Sequence, residues 1–278
     1  PFDYVVIACG VKTNYYGNAD IMRQSSSLRT VADARAILRA AREADYDSFV
    51  ISGGGYTGIE IATHLKRFFA RQGRRKKIVI IEKKDSILGP LPEWMKTYTE
   101  DNLRHMEIET LRNAAVTRRQ GEKVMLDNGT VFDKAFLIWV AGTRGVCLAD
   151  DLPYNKVRGR IVVDEYLRLR EDMYAAGDCA AFMIRDTPHR MAVNFSLMQG
   201  RLAARNILRS TQKRPLKKFR PLDLGFIVPM ANSRSCGSAA GVAVRGRPAT
   251  LLHYFMCWYR SYGSRNKREL ARALVRTE

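Results

Sequence analysis

Three glycines with the spacing G-x-G-x-x-G follow a short apolar run and precede an amphipathic stretch. They are Gly53, Gly55 and Gly58 in SFVISGGGYTGIE, residues 48–60. This pattern binds the pyrophosphate of a dinucleotide: the first glycine permits a tight turn, the second lets the phosphates approach the backbone, and the third lets a helix pack closely on a strand. The free N–H groups and positive end of that helix would hold the phosphates.

The elements around the loop have the order that such a site needs. The pattern predicts a buried strand at 48–52, a helix over 57–72 and a second strand over 77–81 that ends at Glu82. A carboxylate there can accept hydrogen bonds from both hydroxyls of an adenosine ribose. We therefore predict a dinucleotide site; the alternative is a glycine-rich turn that only packs a helix on a sheet. The predicted binding residues are Gly53, Gly54, Gly55, Tyr56, Thr57, Gly58 and Glu82.

The sequence favours NADH over NADPH without excluding the latter. The carboxylate of Glu82 would repel a 2′-phosphate, but Lys83 and Lys84 follow it and could attract that phosphate. Lysines after such a carboxylate are commonly solvated surface residues, so NADH is the expected dinucleotide.

Composition limits the classes to which the chain can belong. With 278 residues and 46% hydrophobic residues, it is long and apolar enough for two globular domains. Its cysteines are isolated in sequence, which argues against a zinc or iron–sulfur site and against a disulfide framework, and favours a cytoplasmic location. The most apolar long stretch, 249–259, is too short to span a bilayer. The five cysteines are Cys9, Cys147, Cys179, Cys236 and Cys257.

The net charge of +19 indicates an anionic partner, which could be a phospholipid surface, a nucleic acid or an acidic electron-transfer protein. Basic residues cluster at 71–77, 213–220 and 265–268, and the last two clusters flank an apolar, aromatic segment. Nucleic acid is the least favoured partner because no RNA-binding aromatic motif accompanies the charge.

The remaining periodicity predicts an α/β protein in which one domain interrupts another. Helices over 29–44 and 93–106, a hairpin at 127–129 and a strand over 136–140 place a nucleotide domain at 28–143, with Thr30 as a helix N-cap. A strand over 2–8, short strands at 159–169 and 173–176 and a helix over 191–210 belong to a second domain. That domain would comprise 1–27 and 144–212, and a separate C-terminal region would follow at 213–278.

Several segments resemble the two-dinucleotide-binding-domain flavoproteins of the pyridine nucleotide-disulfide oxidoreductase superfamily, most closely the type II NADH dehydrogenases. They are FDYVVIACG (2–10), GGGYTGIE (53–60), FLIWVAG (136–142), YAAGDCA (174–180) and QGRLAARNI (199–207). The resemblance implies an NAD-binding Rossmann-like domain inserted into an FAD-binding one. It also implies that Asp178 binds the ribityl chain of FAD, with Cys9, Gly10, Gly142, Gly177, Met191 and Ala192 near the cofactors.

The first flavin loop of that family is not found in this sequence. The resemblance therefore implies that on the order of a hundred residues, the size of half a domain, precede Pro1, and that the FAD-binding domain is incomplete here.

The C-terminal stretch RGRPATLLHYFMCWYRSYGSRNK (245–267) resembles the amphipathic segment that anchors type II NADH dehydrogenases to the membrane. Leu251, Phe255, Tyr259 and Tyr262 form one helical stripe, and neighbouring arginines could meet anionic lipid. The expected location is then the cytoplasm, peripheral on the inner face of the cell membrane. The alternative is a helix that packs on the flavin domain or on a second copy of the chain as a homodimer.

The resemblance implies an FAD-dependent NADH oxidoreductase that passes hydride from NADH to flavin and electrons to a quinone. Glu60 would relay protons or hold the nicotinamide amide. Phe195 stands where quinone-reducing members usually have Gln, which weakens the case for quinone. Two alternatives stay open: exchange of electrons with a ferredoxin or iron–sulfur partner, and a non-catalytic nucleotide- or nucleic-acid-binding flavoprotein.

Overall fold

The computed structural model describes residues 1–145 and 152–275, and the side chains up to residue 272. The chain divides into two compact units. The first unit comprises Pro1–Asn14 and Thr143–Asp223, and the second comprises Tyr15–Gly142 and Leu224–Glu278. One unit thus interrupts the other in sequence, and both combine helices with parallel strands, so the predicted α/β fold is confirmed.

The elements up to residue 139 are numbered here in chain order: β1 Val5–Ile7, β2 Val11–Thr13, α1 Ala19–Gln24, α2 Val31–Glu43, β3 Ser48–Ser52, α3 Tyr56–Arg71, β4 Lys77–Glu82, α4 Glu93–His105, β5 Glu109–Arg112, β6 Val116–Gln120, β7 Lys123–Leu126, β8 Val131–Phe132 and β9 Ala135–Trp139. The elements that follow are β10 Thr143–Gly145, β11 Lys156–Val157, β12 Arg160–Val163, β13 Arg168–Arg170, β14 Met173–Ala175, a 3₁₀ turn at Gly177–Cys179, β15 Ala180–Ile184, β16 Thr187–Pro188, α5 Val193–Thr211, β17 Gly225–Val228, β18 Cys236–Ala239, β19 Val242–Arg245, α6 Arg247–Arg260 and α7 Ser264–Val275.

The second unit is built on a parallel four-stranded sheet in the order β5-β4-β3-β9. All five residues of β3 are buried, because alternate side chains enter different cores on the two faces of the sheet. Phe49 and Ile51 join the cluster that contains α3, whereas Val50 joins the cluster that contains α1 and the β6-β7-β8 meander. The loop after β3 therefore leaves a rigid, doubly covered strand.

Two local predictions in this unit hold almost residue by residue. Helix α2 begins after Thr30, whose hydroxyl accepts from Asp33 N while the Asp33 carboxylate accepts from Thr30 N. This reciprocal capping box satisfies two backbone donors at the helix start. The hairpin of β7 and β8 turns at residues 127–130, and Gly129 adopts the positive φ of 85° that the turn requires.

The first unit contains two small sheets with parallel pairs. Strand β1 lies parallel to β14, and β12 lies parallel to β15. Helix α5 packs on their core through Met198 and Leu202, and its Ala203 is fully buried. The predicted strand at 2–8 is shorter, covering only Val5–Ile7, and the predicted helix at 191–210 begins at Val193.

The C-terminal part from Leu224 onward belongs to the second unit. Strands β17, β18 and β19 form an antiparallel sheet, and Val228, Met230 and Cys236 enter the same core as Phe49 and α3. The predicted amphipathic tail is helical but is divided into α6 and α7. The break lies at residues 261–263, where Gly263 has a φ of +82°.

Candidate functional site

The glycine loop between β3 and α3 is tightly packed at two of its glycines. Gly53 has a φ of +116°, and a Cβ there would lie 2.9 Å from the backbone of Ala141. A Cβ on Gly58 would lie 2.0 Å from the carbonyl oxygen of Gly53. No side chain fits at either position, so the turn and the close approach of α3 both require glycine, as the sequence pattern predicts.

Glu82 at the end of β4 clamps this loop. Its Oε2 accepts from Gly54 N at 2.8 Å and its Oε1 accepts from Lys84 N at 2.9 Å. A Cβ on Gly54 would meet Ile87 at 2.9 Å and the Glu82 carboxylate at 3.1 Å. Each carboxylate oxygen keeps further acceptor capacity, so the clamp leaves room for hydrogen bonds from a ligand's hydroxyls.

Gly55 differs from the other loop glycines because nothing lies within 4 Å of the Cβ it lacks. It is the N-cap residue of α3, with φ −81° and ψ −173°, and no side chain caps this helix end. Helix α3 also has no acidic residue in its first turn. The positive end of a 16-residue helix therefore faces open space across a residue that has no side chain.

A cavity of about 630 Å³ lies beside the loop, entirely within the second unit. Tyr15 and Trp139 stack in its wall, with ring centroids 6.0 Å apart. Tyr16 lies over Gly142, where a Cβ would come within 2.6 Å of the phenol oxygen. The lining residues that share the loop, the ends of β4 and β9 and the segment before α1 are Ser52, Gly53, Gly55, Ile81, Glu82, Trp139, Val140, Ala141, Gly142, Tyr15, Tyr16 and Asn18.

Lys83 and Lys84 also line this cavity. Both side chains are exposed, and neither forms an ion pair with a described residue. The edge of the cavity next to Glu82 thus carries one carboxylate engaged by backbone N–H groups and two solvated ammonium groups.

The other predicted residues of this unit lie outside the cavity wall. Tyr56 and Thr57 are exposed on the first turn of α3, and Tyr56 meets Phe226 edge-on at 6.3 Å. Glu60 is half-buried, and its carboxylate forms no hydrogen bond or ion pair with a described residue. Burial raises the pKa of its carboxyl. Burial and, to a smaller extent, the charge of Glu60 raise the pKa of Tyr254 and of Cys257 in α6.

In the first unit, the predicted flavin residues come together at one edge of a parallel sheet. Because β1 and β14 are parallel, Cys9 and Gly10 after one strand lie beside Gly177 and Asp178 after the other. Gly10 and Gly177 have φ values of +67° and +80°. Cys179 is buried here, its Sγ 3.3 Å from the carbonyl oxygen of Ile7, and burial raises the pKa of its thiol.

Helix α5 begins at the same edge. Gln199 Oε1 accepts from Gly177 N at 2.7 Å, and Ser196 Oγ donates to Asp178 Oδ1 at 3.4 Å. Ala192 is the N-cap residue and makes no side-chain cap, while Met191 before it is exposed. The structure thus brings all six predicted residues of this unit to one place, and Gln199 is an anchor that the sequence interpretation missed.

Phe195, which stands at the expected quinone-binding glutamine, is covered. Only 3% of it is exposed. His189 meets its ring edge-on at 4.0 Å, and the Arg190 guanidinium lies 5.0 Å from the ring centroid. In this unit the phenyl ring is therefore a packing residue between its neighbours.

The described residues show no cluster of metal ligands and no helix that could cross a membrane. In residues 1–145 and 152–275, no three His, Cys, Asp or Glu side chains are grouped so that they could hold a metal ion; Cys147 lies outside the described residues. Within the same ranges, no helix has the length and hydropathy needed to cross a bilayer.

Comparisons with known proteins agree with this architecture. Residues 1–202 match the pyridine nucleotide-disulphide oxidoreductase family. The type II NADH:quinone oxidoreductase of Haemophilus influenzae is 24% identical over 280 residues, which cover 86% of this chain but 62% of that protein. The chain thus spans less than two thirds of this relative's length.

Solved structures share the fold. NDH2 from Plasmodium falciparum in complex with NADH superposes with a TM-score of 0.83 at 14% identity, covering 99% of this chain and 77% of that one. The ferredoxin reductase for the CYP199A2 system from Rhodopseudomonas palustris gives 0.71 at 18% identity, covering 85% and 57%.

Proposed function

Because the chain belongs to the pyridine nucleotide-disulphide oxidoreductase family, we propose that it is part of an FAD-dependent enzyme that oxidises NADH and reduces a quinone. The observation that carries the proposal is the glycine loop. A Cβ on Gly53, Gly54 or Gly58 would clash with neighbouring protein atoms, whereas a Cβ on Gly55, at the uncapped end of α3, would meet none. That combination fits a pyrophosphate held on backbone N–H groups.

We assign the cavity of the second unit to NADH. Gly55 and the first turn of α3 would hold the pyrophosphate, and Glu82 would accept from the adenosine ribose. Gly53, Gly54 and Gly58 would keep the loop packed in the shape that holds this ligand, and Gly142 would line the cavity beside it. The stacked Tyr15 and Trp139 would exclude water from one wall.

We propose NADH in preference to NADPH on electrostatic grounds. The Glu82 carboxylate is fixed by two backbone hydrogen bonds, so it cannot swing away from a 2′-phosphate. Lys83 and Lys84 are solvated, and their side chains would lose conformational entropy on binding a 2′-phosphate. Dissociation constants for the two dinucleotides test this; tighter binding of NADPH would reverse the assignment.

The residues of the first unit fit FAD. Asp178 offers carboxylate oxygens for the ribityl hydroxyls, and the uncapped N-terminus of α5 offers positive charge for the pyrimidine edge of the ring. Cys9, Gly10 and Gly177 allow the backbone to approach. When bound, FAD would supply the two-electron chemistry, while these residues bind and orient it.

The acceptor we favour is a quinone at a membrane surface, because the tail helix α6 exposes several large apolar side chains. Ala249 and Thr250 bury the start of the helix, whereas apolar side chains from residue 251 onward are exposed on its other side. The exposed fractions on this side of α6 are 53% for Leu251, 54% for Phe255, 38% for Trp258 and 66% for Tyr259, and Tyr262, in the break that follows the helix, is 81% exposed.

Basic residues complete this outer face. Arg260 ends α6, and α7 opens with Arg265, Lys267 and Arg268. The Lys267 ammonium lies 4.8 Å from the ring of Trp258, which places charge next to the aromatic stripe. Apolar rings bordered by cations suit the interface of an anionic bilayer.

Sedimentation with vesicles tests the membrane surface. We expect the protein to bind vesicles that contain phosphatidylglycerol more tightly than neutral ones, and Phe255→Ser to weaken that binding. Leu222→Ser is the matched control, since Leu222 is 60% exposed in the first unit. Equal binding of both variants would remove the membrane proposal.

An acidic electron-transfer protein such as ferredoxin is the second candidate, favoured by the net charge of +19. Steady-state rates of NADH oxidation by the FAD-loaded protein, with a short-chain quinone or with ferredoxin, separate the two. We expect faster turnover with the quinone; negligible quinone reduction beside rapid ferredoxin reduction would select the second candidate.

A further inference from the structure

A cleft on the second unit collects basic side chains from three helices. Its volume is about 500 Å³, and its wall is formed by the second half of α3, the end of α4, the segment between β17 and β18, and the start of α6. We call it the basic cleft. The lining residues with charged groups, imidazole or hydroxyl are Lys66, Arg67, His105, Glu107, Ser233 and Arg247. None of them lines the cavity that we assign to NADH.

Hydrogen bonds fix one wall of the basic cleft. In the segment between β17 and β18, Ala231 N donates to Thr63 Oγ1 at 3.1 Å, and the Ala231 carbonyl oxygen accepts from the Arg67 guanidinium. The side-chain amides of Asn102 and Asn232 bond to each other in both directions, at 3.1 and 2.7 Å. The segment is thus tied to α3 and to α4, and the cleft has a preformed shape.

Two cations of the cleft are held in place by the protein. Arg67 is anchored on Ala231, and Lys66 Nζ lies 3.0 Å from Glu107 Oε2 and 3.3 Å from the carbonyl oxygen of Glu107. The hydrogen bond from Lys66 lowers the pKa of the Glu107 carboxyl, so this carboxylate stays ionised and engaged. Both cations therefore have fixed positions before any ligand arrives, which lowers the entropy that binding costs.

The cleft offers further donors that the protein does not use. The guanidinium of Arg247, the ring of His105 and the hydroxyl of Ser233 make no hydrogen bond or ion pair with any described residue. Three permanent cations, Lys66, Arg67 and Arg247, thus line the cleft beside one carboxylate. A phosphate group brings the matching negative charge and several acceptor oxygens.

The exposed apolar side of α6 begins at this cleft. Arg247, Leu251 and Phe255 follow one another at a spacing of four residues, so they lie on the same side of the helix. Leu251 and Phe255 are exposed. A phosphate bound at Arg247 would therefore have an apolar surface next to it, along the following turns of α6. A phospholipid joins a phosphate to apolar chains in this way, whereas a soluble phosphate has no use for the apolar surface.

We propose that the basic cleft binds the phosphate group of an anionic phospholipid, whose acyl chains lie along Leu251 and Phe255. Arg260 and α7 lie at the other end of α6, about 20 Å along the helix, so the cleft is a second and separate contact. The choice of a lipid rests on the membrane surface proposed above. Binding of a phosphate group in the cleft depends neither on that surface nor on electron transfer.

A soluble phosphate monoester tests the cleft without a membrane, NADH or FAD. The sequence has four histidines, so the ring protons of His105 can be followed by NMR while glycerol 3-phosphate is added. We expect the His105 signals to shift and saturate, and those of His189 in the first unit to stay fixed. Lys66→Gln and Arg247→Gln should each raise the dissociation constant about tenfold, the lower end for a hydrogen bond between charged groups.

Two matched variants control for the loss of charge. Lys96, like Lys66, is a partly buried helical lysine in an ion pair, which it forms with Glu93 at 3.2 Å, so Lys96→Gln is its control. Arg39→Gln, exposed on α2, is the control for Arg247→Gln. Ion pairs at the surface contribute little to stability, so thermal melts of all four variants should be similar. A lower affinity without a shift in the melt then reports binding and not unfolding.

Vesicles of phosphatidylcholine and phosphatidylglycerol test the source of the phosphate. We expect Lys66→Gln and Arg247→Gln to sediment with them less than the unaltered protein does, and Lys96→Gln and Arg39→Gln to sediment equally well. Weaker binding of glycerol 3-phosphate beside unchanged vesicle binding would keep the phosphate site and overturn the lipid.

Two results would overturn the site itself: a His105 signal that never saturates, or equal affinities for glycerol 3-phosphate in the cleft and control variants. The proposed function fails separately. If NADH does not reduce the flavin of the unaltered protein, the redox assignment is wrong, whereas the glycerol 3-phosphate titration still measures the cleft.

Discussion

Gly55→Ala is the substitution that best separates ligand binding from folding. A Cβ at residue 55 meets no protein atom within 4 Å, and its φ of −81° is ordinary for alanine. The entropy that alanine removes from the unfolded chain is worth about 0.4–1 kcal/mol, and alanine's poorer fit at a helix N-cap opposes that gain, so we expect the free energy of unfolding to change by less than about 1 kcal/mol. For a chain of this length the melting temperature would shift by no more than about 4 °C.

NADH binding should fall in the same variant, because the methyl group occupies the space through which the phosphates approach the backbone. Loss of one hydrogen bond to a charged group costs about 1.5–3 kcal/mol. That corresponds to a dissociation constant about 10- to 100-fold higher, since 1.4 kcal/mol is a factor of ten.

The assay is a fluorescence titration with NADH beside a thermal melt of the same sample. Gly58→Ala is the contrasting variant, because its Cβ would lie 2.0 Å from the Gly53 carbonyl oxygen, so the fold itself should lose stability. If Gly55→Ala binds NADH as tightly as the unaltered protein, the phosphates do not lie on this loop and the assignment of the cavity is wrong.

Three further predictions follow from the site. Glu82→Gln should weaken NADH binding about tenfold and NADPH binding less, because an amide has one acceptor oxygen where the carboxylate has two, and it does not repel a 2′-phosphate; equal losses in the two dissociation constants would contradict this. Gln199→Leu leaves the Gly177 N–H without its acceptor at 2.7 Å, so we expect a loss of about 1–3 kcal/mol in unfolding free energy and weaker FAD retention, neither of which should appear in the exposed control Gln212→Leu. Glu60 has a raised pKa, so its charged form is the costly one in the folded state; Glu60→Gln should gain stability at neutral pH, and the gain should vanish as the pH falls below 4.5, the ordinary value for this carboxyl, in urea unfolding measured across pH.

Local sequence was sufficient to predict the glycine loop and its supporting elements. The boundaries of β3, α3 and β4 agree with the pattern to within one residue. These elements are encoded locally, by a continuous apolar run, by helical periodicity and by glycines whose missing Cβ atoms the structure explains. The Thr30 cap and the hairpin at residues 127–130 were predictable for the same reason.

Contacts between distant parts of the chain could not be predicted in this way. Periodicity identifies the stripe of Leu251, Phe255 and Tyr259, but it does not show whether this apolar side of the helix faces a core or solvent. Tyr15 lies far from Trp139 in sequence, and no motif announces their stacking. The engagement of Glu82 by two backbone N–H groups likewise needs the folded loop.

Function prediction depended on resemblance more than on physics in the first unit. An aspartate after a glycine at 177–178 is an ordinary turn unless β1, β14 and α5 converge beside it. The structure supplies that convergence through the Gln199–Gly177 and Ser196–Asp178 hydrogen bonds. The roles of Asp178, Cys9 and Glu60 stay predictions until ligand binding is measured.

The most direct measurement for the whole account is the visible absorbance spectrum of the complete protein, recorded without oxygen before and after one equivalent of NADH. The account predicts a yellow protein with a flavin band near its usual wavelength, and loss of that band on addition of NADH. A colourless protein, or a flavin band that NADH leaves unchanged, would contradict it.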